Sequence, residues 1–88
     1  MKSISDKISQ YLADQTASIE RGPLHMRSIR ADTMQRDWEK KEQMLLLWVN
    51  GKKSRPHPFN GEINAFDIAR CRNHFAALAV KYRELSHA

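Results

Sequence analysis

Several things are scarce in this sequence, and each scarcity excludes something. There is one cysteine, Cys71, so no intramolecular disulfide can form, and a lone thiol suits a reducing, cytoplasmic setting. The three glycines, Gly22, Gly51 and Gly61, stand apart, so there is no glycine-rich phosphate loop. The longest apolar run, Met44 to Val49, is six residues and cannot span a bilayer, and no secretory leader is recognisable after Met1-Lys2-Ser3. Acidic residues are the minority sign, 10 against 15 lysines and arginines, for a net charge of +5. That balance favours acidic partners: nucleic acid, an acidic protein face or an anionic membrane surface, of which no membrane partner is expected.

What remains is an ordinary globular composition, 41% hydrophobic and 28% charged, in 88 residues. The fold class expected is all-α: one small three-helix domain spanning 1–88, with helices at about 4–20, 32–50 and 64–86. A chain this short buries a modest core and gains from added cover.

The last helix carries the clearest pattern. Ile68, Cys71, Phe75, Leu78, Tyr82 and Leu85 alternate three and four apart, which places them on one stripe. Ala76, Ala77, Ala79 and Val80 extend the apolar surface around most of the helix centre, as in a buried helix. Cover can come from the rest of the chain, from a second copy or from a partner. A homodimer through Ile68, Phe75, Leu78 and Tyr82 is one expectation. Asn64 is the expected N-cap, with Asp67 three residues on in a capping-box arrangement.

In the first helix Ile4, Ile8, Leu12 and Ile19 mark a face beside Tyr11, Ser3 or Ser5 offers the cap, and Gly22-Pro23 ends it. Leu24 to Arg30 has no clear period and reads as a connector. The second helix is expected from Asp32, with Met34, Trp38, Leu45 and Trp48 inward, an Asp37–Lys41 pair outside, and Asn50-Gly51 as its stop. It forms the principal hairpin with the third helix through a long loop containing Pro56 and Pro58, with a turn at Asn60-Gly61. The first helix packs across that hairpin.

No constellation supports catalysis. Cys71 and His74 are three apart, but zinc needs further ligands, and His25, His57 and His87 are scattered. Cys71 on the apolar stripe reads as a core residue. Asp37, Glu39, Glu42 and Glu62 do not pair in an apolar pocket. No enzyme activity, metal or cofactor is expected.

The binding candidates are basic. Lys52, Lys53 and Arg55 are followed by His57 and Phe59 in a proline-stiffened loop. That pattern can hold phosphates and stack a base, or present a stiff loop to a protein. Arg27, Arg30 and Arg36 form a second basic group. No helix-turn-helix is expected, because both connectors read as about a dozen residues against the 3–4 that motif uses.

The functional expectation is therefore a non-enzymatic binding protein. It would dock on and modulate a larger, nucleic-acid-handling complex, as adaptor or inhibitor of the phage or plasmid accessory type. The alternative is a dimeric DNA- or RNA-binding protein contacting mainly phosphates.

Overall fold

The structure, a computed structural model, describes residues 4–51, 58–59 and 63–87. They form three helices: α1 (Ile4–Arg21), α2 (Leu24–Asn50) and α3 (Ala65–His87). Among the described residues there is no strand. Among them, too, no helix is long and apolar enough to cross a membrane. The all-α three-helix architecture and the α2–α3 hairpin agree with the pattern in the sequence. The serine cap of α1, the loop bearing Pro56 and the Asn60-Gly61 turn lie outside the described residues.

α2 and α3 run antiparallel. Glu42 meets Arg72 near one end, and Arg27 meets the Tyr82 ring near the other. This register brings Ala31 (0% exposed) and Ala79 (1%) to the same level. Small side chains there let two helix backbones approach closely. Phe75 and Ile68 fill the interface further along, with Trp38 and Leu45 buried on the α2 side.

α1 lies lengthwise on this hairpin rather than across it. Its contacts with α3 advance in the same direction on both helices: Ser9 with Arg70, Thr16 with His74, Glu20 with Tyr82. Its contacts with α2 advance in opposite directions, Tyr11 with Trp38 and Ser18 with Arg30. α1 is thus parallel to α3 and antiparallel to α2. Ile8, Leu12 and Ile19 are buried beneath it, as their spacing predicts.

The second helix begins eight residues earlier than Asp32. Pro23 sits in the extended region at φ −63°, ψ 147°, its carbonyl accepts from the Met26 N–H, and the helix follows at once. The apolar period misleads here, because Leu24, Met26 and Ile29 point mostly to solvent (43%, 36% and 56% exposed). This first stretch meets its neighbours through arginines instead. Asp32 is not a cap but pairs with Arg36 one turn on, at 3.0 Å. The first connector is consequently two residues, Gly22-Pro23, not a dozen. A helix-turn-helix is still not formed, since α1 and α2 are antiparallel instead of crossing at about 90–120°.

Neither glycine stop adopts the left-handed cap. Gly51 has φ −80°, ψ 14°, and its N–H donates to Leu47 O. At Gly22 space is what matters: a Cβ would lie 2.9 Å from Arg30 Nη1 and 3.3 Å from Ile19 O. At the start of α3, Asn64 caps as expected, its Oδ1 accepting from the Asp67 N–H at 2.8 Å.

The homodimer expected through Ile68, Phe75, Leu78 and Tyr82 loses its surface. All four are at most 8% exposed and belong to the chain's own core. The helix is open instead on its outer edge, at Phe66, Ala77 and Val80, while Leu85 projects beyond its cover at 47% exposure.

Ala31→Leu is expected to cost about 1–3 kcal/mol of stability by overpacking the α2–α3 contact. Ala77→Leu, on the exposed edge of the same hairpin, should change it by less than about 0.5 kcal/mol. Urea unfolding followed by circular dichroism measures both.

Candidate functional site

Among the expected binding residues, Lys52, Lys53, Arg55 and His57 lie outside the described residues. Phe59 is half-buried and packs against the core. It is therefore not a freely projecting stacking platform.

The second basic group is not a cluster. Arg27 and Arg36 are nine positions apart, half a turn out of phase on a helix, so they face opposite ways. Arg36 is the mostly exposed partner of Asp32. Arg27 and Arg30 turn onto the end of α1, where the last carbonyls of a helix have no partner of their own. Arg27 donates to Glu20 O at 2.8 Å and Gly22 O at 3.1 Å. Arg30 donates to Ser18 O at 3.3 Å, and the Gly22 N–H donates to Ile19 O at 3.1 Å. Two arginines of α2 thus cap the C-terminus of α1, where the helix dipole favours positive charge. The Arg27 guanidinium also lies 5.2 Å from the centre of the Tyr82 ring. Tyr82 Oη donates to the Glu20 carboxylate. That hydrogen bond, with burial, raises the phenol above its usual range.

Cys71 and His74 are both packing residues. Cys71 is fully buried, and burial pushes its thiol up, with Arg70 opposing only in part. A thiol held protonated is a poor nucleophile. His74 Nε2 shares a 2.7 Å hydrogen bond with Thr16 Oγ1, and its ring stands edge-on to Phe75. Burial, then the neighbouring Arg70, lowers its pKa below the ordinary 6.5. Among the described residues, no three His, Cys, Asp or Glu side chains converge as a metal site would require.

A concavity lies where the first half of α1 faces the middle of α2. This open cleft offers about 600 Å³, within the roughly 300–1,000 Å³ of ordinary binding clefts. Ile8, Tyr11, Trp38, Ile63 and Cys71 form its apolar floor and walls, and Lys7 and Lys41 stand at its rim. The aromatic floor is fixed by two edge-on contacts of Tyr11, with Trp38 at 5.8 Å and with Phe75 at 6.4 Å. Trp38 Nε1 donates to Tyr11 Oη at 3.3 Å, so the indole has its partner. Burial raises the Tyr11 phenol. Lys41 does not make the expected pair with Asp37; its ammonium sits 5.0 Å from the Trp38 ring centre. The sequence conceals this cleft because its members come from separate segments, and only the phase of Lys7 beside Ile8 and Lys41 beside Trp38 hints at it.

A second feature is apolar exposure at the end of α2. Met44, Leu46, Leu47 and Val49 are between 46% and 71% exposed. They surround Leu45 and Trp48, which do the internal packing.

No protein-family model matches this chain, and no curated protein or solved structure is significantly similar to it.

Removing Arg27 should cost about 2 kcal/mol, the scale for charged hydrogen bonds to otherwise unpaired carbonyls. Arg27→Lys should recover little of this, because an ammonium cannot reproduce the two-pronged contact. Arg36→Ala should stay within about 0.5 kcal/mol. His74 makes a separate pH prediction. The native imidazole resists a proton that the unfolded chain accepts near 6.5, so its contribution is intact above that pH and is lost as pH falls below it. Urea denaturation between pH 7.5 and 5.5 should show a smaller loss for His74→Gln than for the parent chain.

Proposed function

We propose that this chain is a small non-enzymatic binding protein that docks on and modulates a larger protein complex. Its excess of positive charge suits a complex that handles nucleic acid, where acidic surfaces and phosphates abound. Adaptor and inhibitor are both within the reading. The observation that carries it is the end of α2, where four large apolar side chains within six residues are 46% to 71% exposed. Scattered exposed apolar residues are normal on any surface, but a local concentration marks a surface that another protein covers. None of the four is needed to seat α2, since Leu45 and Trp48 already do so. Cys71 and His74, the thiol and imidazole three apart on α3, are given over to packing, which supports a non-enzymatic role.

Direct phosphate binding is the reading to test against. It retains Lys52, Lys53 and Arg55, but Arg27 and Arg30 serve it poorly while they cap α1. Tagged chain incubated with nuclease-treated lysate should retain a stoichiometric protein partner. Leu47→Asp should lose it while keeping the parent helical circular-dichroism spectrum. Submicromolar binding of mixed-sequence DNA that falls steeply with salt, with no partner retained, would overturn the proposal in favour of the nucleic-acid reading.

A further inference from the structure

The cleft between α1 and α2 pairs an apolar, aromatic floor with two cations, one on each wall. Lys7 comes from α1 and Lys41 from α2. Among the described residues no carboxylate lies within ion-pair distance of either ammonium. Asp37 acts electrostatically on Tyr11 and Asp67 on Cys71, where Arg70 opposes it. The cleft is open rather than enclosed, and Met44, half-exposed, lies three residues beyond Lys41 on the same helix. A ligand seated in the cleft can therefore continue onto the apolar end of α2.

From this complementarity we infer that the cleft receives a short acidic segment of the partner protein, one that alternates carboxylates with large apolar side chains. The apolar side chains enter over Tyr11 and Trp38, and the carboxylates reach Lys7 and Lys41 at the rim. Burial of the apolar groups supplies most of the affinity, and the lysines select against basic sequences. The inference rests on the docking reading and gives that docking a place and a chemistry.

The probe is a synthetic hexapeptide alternating glutamate with phenylalanine and leucine, titrated into the isotope-labelled full chain and followed by NMR. Saturable shifts of the Trp38 indole N–H and of the Ile8 and Ile63 amides are expected. The same peptide with lysine in place of glutamate should bind at least about tenfold more weakly. Lys7→Glu combined with Lys41→Glu should weaken the acidic peptide about tenfold, since two rim contacts are reversed in sign. The neutral pair Lys7→Gln and Lys41→Gln should fall between, which guards against a loss caused by misfolding.

Equal binding of the two peptides, or no saturable shift at millimolar acidic peptide, overturns the inference. So does decanoate shifting these signals when the acidic peptide does not, which would make the cleft a site for small amphipathic anions. The two proposals fail separately. If Leu47→Asp abolishes partner capture and the peptide leaves the cleft untouched, only the cleft assignment falls. If no partner is ever captured but the charge-selective peptide shifts are seen, the cleft chemistry stands and the docking reading falls.

Discussion

The guanidinium of Arg27 holds the three helices in one arrangement. It satisfies carbonyls at the end of α1, it grows from the second turn of α2, and it covers the face of Tyr82 on α3. Tyr82 in turn holds the Glu20 carboxylate of α1, and Lys81 lies 3.8 Å from the same group. A cation placed where a helix leaves its carbonyls unpaired is stabilised by the dipole as well as by hydrogen bonds. The tight Gly22-Pro23 connection depends on this, because a two-residue turn leaves little chain to satisfy those groups by itself.

Two kinds of packing then divide the work. Between α2 and α3 the contact is close, with alanines at one level and Phe75 and Ile68 at others. Between α1 and the hairpin the contact is made by larger and more polar groups. Tyr11 wedges against Trp38 and Phe75, and Thr16, Ser9 and Glu20 each reach a partner on α3. The wedge of Tyr11 keeps α1 from closing fully onto α2 at that level. The cleft with Lys7 and Lys41 at its rim is the space so left.

Much of the fold is legible in the sequence because apolar side chains at helical spacing do the packing. The stripe Ile68, Cys71, Phe75, Leu78 and Tyr82 is the buried face of α3, and Ile8, Leu12 and Ile19 are that of α1. The start of α2 is illegible for the opposite reason: it meets α1 through Arg27 and Arg30, whose long stems and charged heads leave no apolar period. The same two residues read as a phosphate-binding group when only their charge is visible. Whether an arginine faces solvent or a helix end depends on which elements lie beside it, and that is a tertiary fact. The all-round apolarity of α3 overstates its burial, because Ala77 and Val80 widen the stripe without being covered. The cleft is hidden for a related reason, since Lys7, Tyr11, Trp38, Lys41 and Ile63 become neighbours only once α1 lies along the hairpin.

The parallel course of α1 and α3 also sets the polarity of the molecule. The first turn of α1 and the last turn of α3 stand at opposite poles. Joining them to permute the chain would require a linker spanning roughly the length of α3, about 35 Å, or some ten extended residues. A fluorophore or surface tether placed after His87 would sit near the Arg27–Tyr82 junction, at the pole away from the cleft and from the apolar end of α2. Immobilised that way, the chain would present the cleft and the apolar end of α2 outward; tethered through the start of α1, it would present the arginine-capped end of α1.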